Sequence, residues 1–190
     1  MRHFWMTALV AATLGLYAGE YTLDTTHSSV GFSIKHLGIS NVKGYFGKFH
    51  GSYVLDEKSN ILKALKGEVE VASIDTKEPK RDDHLRSADF FDVAKFPKMT
   101  FEMTKYQGKG KRGKVFGNLT IKGVTKPVVF YADIGGSAVD PWGNQKSSLS
   151  LTGEINRKDF GLNWNKLLET GGFVVGDKVK IIIELEGNAQ

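Results

Sequence analysis

The chain has 190 residues, a formal net charge of +5 at pH 7, 41% hydrophobic and 25% charged residues, and no cysteine. That is folded globular composition, which excludes a disordered or collagen-like chain, and the length suits one domain around one substantial core. With no thiol, disulfides, thiolate metal centres and cysteine nucleophiles are excluded together.

Met1-Arg2-His3 is a short basic start, Phe4 to Leu16 an uncharged apolar run, and Leu16-Tyr17-Ala18 ends on a small residue. This is the layout of a secretory signal peptide over residues 1–18, with the mature chain starting near Gly19 and Glu20. The alternative is a retained anchor helix, but the run falls short of the roughly 20 apolar residues that span a bilayer. Export puts the domain of residues 19–190 in the periplasm of a bacterium with two membranes. Charges interrupt every later apolar run.

Beyond the leader, apolar and polar residues alternate with a period of two, the mark of a strand with one packed and one wet face. Val30, Phe32 and Ile34 form the first such run, and Leu65, Gly67, Val69 and Val71 the next. A charged stretch without glycine, Lys80 to Ala88, follows Pro79 and predicts a short helix. Phe90, Phe91, Val93 and Phe96 then make an apolar cluster, so the helical insertion occupies residues 80–91 or so. Alternation resumes at Met99, Phe101 and Met103, then Val115, Gly117, Leu119 and Ile121, then Leu149, Leu151, Gly153 and Ile155, and last Val179, Ile181, Ile183 and Leu185. Between the runs lie Asp56–Asn60, the basic tip Gly108–Gly113, the tight reversal Ile121–Val124 and the turn Asp140–Asn144. Many meandering strands and one helical insertion predict an all-β fold, a single closed antiparallel barrel without exposed edges.

About eight strands enclose a space that side chains or one slender ligand fill. Gly67, Gly117 and Gly153 on the apolar face either leave room for an apolar chain or mark bulges and bends in a full barrel. Each buried methylene contributes about 0.8 kcal/mol, so a long tail needs no strong polar contact.

Several strings are more specific than alternation. They are His27-Ser28-Ser29-Val30-Gly31-Phe32-Ser33-Ile34-Lys35-His36-Leu37, Tyr45-Phe46-Gly47-Lys48-Phe49, Ser73-Ile74-Asp75-Thr76, and the run from Arg81 to Val93. Leu119 to Val128 and Ile155-Asn156-Arg157-Lys158-Asp159-Phe160-Gly161-Leu162 follow. In this order, from Tyr21 to Glu186, the chain closely resembles the YceI-like family of bacterial polyisoprenoid-binding proteins. The resemblance implies an extended, eight-stranded lipocalin-like barrel with a polyisoprenoid in its pore. It also implies a non-enzymatic carrier or storage role, a periplasmic address in many members, and homodimers.

Phe32, Ile34, Phe46, Phe49, Leu85, Phe90, Phe91 and Phe101 are the candidates for pore lining, against ordinary core packing for each alone. Lys35 and His36 end a strand run where they can meet a head group, unless they face water and a backbone carbonyl. His84 and Arg86 flank the helix; Arg86 either clamps a diphosphate or pairs with Asp82, Asp83 or Asp89. Asn156 to Gly161 reads as a structural turn with Phe160 plugging the barrel end. The tip from Lys109 to Lys114 is a solvated hairpin end or a transient contact for anionic membrane lipid. Nucleic acid is not expected, because no aromatics are interleaved with the basic residues.

His27, His36, His50 and His84 lack metal-type spacing, and there is no HExxH, no Gly-x-Ser-x-Gly elbow and no phosphate loop. No catalytic residue, metal or cofactor is expected; a polyisoprenoid or other long amphiphile is. The rival readings are a protein-binding accessory barrel with incidental lipid, and an isoprenoid-modifying enzyme.

Overall fold

The computed structural model describes residues 18–169 and 171–190. The expected leader lies outside the described residues, apart from Ala18, which opens the first strand. The strands are β1 (Ala18–Leu23), β2 (Ser29–His36), β3 (Ser40–Phe46), β4 (Phe49–Asp56), β5 (Ile61–Glu70), β6 (Ile74–Asp75), β7 (Lys98–Lys109), β8 (Arg112–Ile121), β9 (Val124–Val139), β10 (Gln145–Asn156) and β11 (Val175–Ala189). Among the described residues there is one α-helix, α1 (Pro79–Arg86), between β6 and β7.

Eight strands close into an antiparallel ring, β1-β4-β5-β7-β8-β9-β10-β11, with β11 returning to β1. This is the predicted all-β barrel with its short helical insertion. The other three strands form a wing. Gly187–Ala189 of β11 pair with β1, whereas Val175 and Val179–Glu184 pair with β2, so β11 has two successive neighbours on one flank. An Asx turn makes the change: Asp24 Oδ1 accepts from the Thr26 amide at 3.0 Å and its hydroxyl at 2.6 Å. Gly47 and Lys48 part β3 from β4 in the same way, with the Gly47 amide donating to the Ser73 carbonyl at 3.1 Å.

Each alternating run of the sequence lies in a strand, except that Val71 falls just past β5 in a short 3-10 turn. The longest strand, β9, is one the alternation did not single out. Its inward set, Phe130, Ala132 and Ile134, is buried, but Lys126-Pro127 and Gly135-Gly136 interrupt the pattern. Proline is tolerated because β10 pairs with β9 only between Gln145 and Thr152, leaving the Pro127 stretch with β8 alone. Phe160, 1% exposed, fills the space where β9 and β10 part. Its turn is held by the Asn156 side chain, which accepts from the Lys158 amide, and by Gly161 at φ 75°. Lys122 and Gly123, at φ 49° and 74°, make the two-residue reversal between β8 and β9.

Glu78 caps α1 by accepting from the Lys80 and Arg81 amides, and Pro79 supplies the preset first turn. Buried Asp82 reaches back to accept from the Thr76 amide at 3.0 Å and hydroxyl at 2.5 Å. These bonds pin the helix to the end of β6.

Two clusters of side chains pack inside the barrel. In the ring, Tyr21 stacks on Tyr53 at 5.2 Å, and the Tyr53 hydroxyl lies 2.7 Å from the Ser147 carbonyl and 2.9 Å from its Oγ. Burial pushes the Tyr53 phenol up to about 12, against the opposing Ser147 hydrogen bond. Leu55, Val115, Ile134 and Leu149 complete this packed half. The second cluster, with Phe46, Ile74, Met99, Ile155 and Leu162, lies towards the wing and the helix.

Candidate functional site

Between the two clusters the barrel holds an apolar cavity of about 460 Å³. That is within the range of roughly 300–1,000 Å³ for small-molecule sites. Phe32, Ile34, Phe46, Phe49, Leu85, Phe90, Phe91 and Phe101 all stand on its wall. Strand periodicity turns Phe32 and Ile34 inward on β2 and Phe101 inward on β7. Phe46 and Phe49 flank the Gly47 break, and Leu85, Phe90 and Phe91 come down from α1 and the turn after it. Their rings form a chain, Phe32 to Phe46 at 5.8 Å and Phe46 to Phe91 at 6.2 Å.

Two of the three glycines read as candidate openings leave no space. A Cβ on Gly117 would strike the Phe101 ring, and one on Gly153 the Phe130 ring. Each glycine is the seat of a cross-strand aromatic. The nearest atom to a Cβ on Gly67 would be the His50 carbonyl at 3.8 Å, and Gly67 borders the cavity.

Polar groups gather at the helix end. Lys35 is exposed, His36 half-buried; both border the cavity, and among the described residues neither side chain has a hydrogen-bonding partner. His84 also borders it, with its ring edge-on to Phe90 at 5.0 Å and to Trp164 at 4.8 Å, and Nε2 3.0 Å from Asp89. Arg86 does not. Its guanidinium donates to the Ala72 and Ile74 carbonyls at 2.8 Å each and to Asp83 at 3.0 Å, so it ties α1 to the wall instead of facing a head group.

Arg157, read only as part of a turn, is 2% exposed and borders the cavity. It donates to the carbonyls of Leu162, Trp164 and Gly176, and lies 3.4 Å from Asp177. Burial pulls its pKa below the usual arginine value, and Asp177 opposes this. Trp164 carries no alternation or motif signal either, yet it closes the His84–Phe90 cluster from the opposite side of the mouth.

Away from the cavity, Asp24, His27 and Glu186 bring ligand-type atoms within 4.8 Å of one another. Lys146 Nζ is already there, 2.9 Å from Asp24 and 3.4 Å from Glu186, so an ammonium balances the carboxylates.

A YceI-like domain matches residues 21–187. The chain belongs to the YceI-like family. Protein YceI of Salmonella arizonae is 37% identical over 189 residues, covering 98% of this chain and 96% of the relative. The crystal structure of the Campylobacter jejuni YCEI protein superimposes with a TM-score of 0.71 at 40% identity, over 90% of this chain and 98% of that one. A polyisoprenoid binding domain from Saccharophagus degradans shares the fold at 15% identity, with a TM-score of 0.68 over 90% of this chain and 98% of that one. The YceI-like barrel is thus present with its ring packed at one end and hollow towards the other.

Proposed function

We propose that this protein is a periplasmic carrier or store for a long-chain amphiphile, a polyisoprenoid or a lipid of similar shape. The observation that carries the reading is the cavity of about 460 Å³, walled by Phe, Leu, Ile and Val side chains inside a closed barrel. Membership of the YceI-like family supports it, as does the barrel shared with the S. degradans domain, which is itself described as polyisoprenoid binding. The mechanism is burial. Tail methylenes leave water for the apolar wall at about 0.8 kcal/mol each, less the cost of ordering the chain. The head stays at the mouth, where Lys35, His36 and His84 are among the polar groups at hand, with Lys80 and Arg81 of the helix beside them on the lining. Ligand exchange then takes place where that mouth meets a membrane, and no bond is made or broken. The reading includes the leader at residues 1–18 and a homodimer, which sedimentation of the purified protein measures.

Native mass spectrometry of protein purified gently from its own host tests the reading. A long-chain adduct is expected, exchangeable for added prenyl phosphate or prenyl quinone. Protein that is empty and takes up neither would overturn it. Phe32→Asp, checked for folding by circular dichroism, separates the protein-docking rival: it should abolish uptake, and a biological activity that survives that loss favours the rival.

A further inference from the structure

We infer, building on the amphiphile reading above, that the cavity measures its ligand: Phe101 and Phe130 are a stop, and the buried tail is about 15–20 carbon atoms long. An apolar cavity of about 150 Å³ takes one benzene, or roughly 25 Å³ per carbon atom. On that scale the 460 Å³ here takes about 18 carbons, between three and four isoprenoid units.

The stop is built from both sides. The Phe101 and Phe130 rings meet at 5.3 Å, 64° apart, and both border the cavity. Each ring is seated on a glycine of the neighbouring strand, Phe101 on Gly117 and Phe130 on Gly153, which lets it lie flat against the wall. Behind them Tyr21, Tyr53, Leu55 and Val115 are at most 1% exposed and do not border the cavity. The Tyr53 hydroxyl is tied to Ser147, so retreat of this packed half would strand a buried hydrogen-bonding group. The far end of a tail has nowhere to go beyond the two rings. A longer tail leaves its surplus carbons outside the mouth, where they add little affinity.

The test is a ladder of prenyl phosphates with one head group, from two isoprenoid units to eight, competed against one another and read by native mass spectrometry. Affinity should rise about tenfold or more per unit and flatten near the fourth. Phe101→Ala vacates about the volume of one benzene ring, close to one unit, and should move the flattening one unit later. Phe101→Leu, the milder change for a packed site, should move it part of the way. Affinity that keeps climbing to eight units, or flattens at the same length in wild type and both variants, overturns the stop while leaving the amphiphile reading in place. Failure of every rung to bind wild type removes both.

Discussion

Arg157 sits 2% exposed in a turn whose sequence advertises only capping and a plug. Its planar guanidinium serves the carbonyls of Leu162 and Trp164, from the loop that borders the mouth, and of Gly176 at the start of β11. Arg157→Met keeps the apolar bulk and orphans those carbonyls, so a loss of about 3 kcal/mol is expected from the urea midpoint. Arg157→Lys should recover little of it, because one ammonium cannot reproduce the fork. A second expectation concerns acid. Asp24 is held well below the usual carboxylate range by hydrogen bonds, from Thr26 first, then Lys146 and His27, against a smaller burial effect. Its folded pKa is depressed, so its contribution is fully present above the ordinary value of 3.8 and drains away as pH falls below it. Melting temperatures of wild type and Asp24→Asn should therefore differ most at neutral pH, and the difference should start to narrow below about pH 4 and go on narrowing to the lowest pH at which the fold survives. The inward phenylalanines were legible because a strand exposes its period in the sequence. Arg157 was not, since it takes its role from carbonyls 5 to 19 residues away along the chain; for Arg86 the pairing with Asp83 was legible, but the Ala72 and Ile74 carbonyls, 14 and 12 residues back, were not.

At the level of elements, α1 and the turn after it meet the loop before β11 through one cluster: His84 at 4.8 Å from Trp164, and Phe90 at 5.1 Å from it. These are edge and tilted ring contacts, individually worth about 0.5–1.5 kcal/mol, and they cross the mouth without entering the ring core. Trp164→Ala should therefore open the cover more than it unfolds the protein. Stopped-flow release of a fluorescent long-chain probe should quicken about tenfold, while the melting temperature falls only a few degrees. An unchanged release rate would mean that ligand leaves elsewhere. The helix itself was readable from Pro79 and the charged run after it, to within a residue or two of its observed bounds. What it covers was not, because Trp164 lies in a loop whose position depends on the buried Arg157. The long strand β9 escaped notice for a local reason, proline and paired glycines breaking its period, and the glycines of β8 and β10 misled because the aromatics that occupy them sit on neighbouring strands.

The whole molecule has two unlike ends. The turns at residues 57–60, 110–111 and 140–144 close the packed half, which also puts the basic Lys109–Lys114 tip far from the mouth. At the mouth end the β2–β3 turn and the loop before β11 lie side by side, joined by the Leu37 amide donating to the Val174 carbonyl at 2.8 Å. They present Ile39 at 83%, Leu167 at 73% and Phe173 at 53% exposure. Exposed Lys35 and Lys166 flank these side chains, and Lys158 Nζ lies 5.6 Å from the Phe173 ring centre. If the proposed carrier loads at a membrane, these apolar tips would enter the head-group region of an anionic bilayer, with Lys35 and Lys166 each contributing about 1 kcal/mol near the surface, whereas Lys158 is already paired with Asp177 at 2.9 Å and exposed Glu169 opposes them. On the proposed carrier reading, such contact would place the opening against the donor membrane. Vesicles containing phosphatidylglycerol should retain the protein in flotation, and neutral phosphatidylcholine vesicles much less. Ile39→Asp combined with Leu167→Asp should lower retention at least fivefold, as should salt, which screens the lysines over a Debye length of about 8 Å near physiological strength. Trp142, 83% exposed on the opposite end, is the control: Trp142→Asp should change nothing. If Trp142→Asp weakens retention as much as the double variant, the wrong end has been assigned to the membrane, and the cargo path must run through the side of the barrel instead.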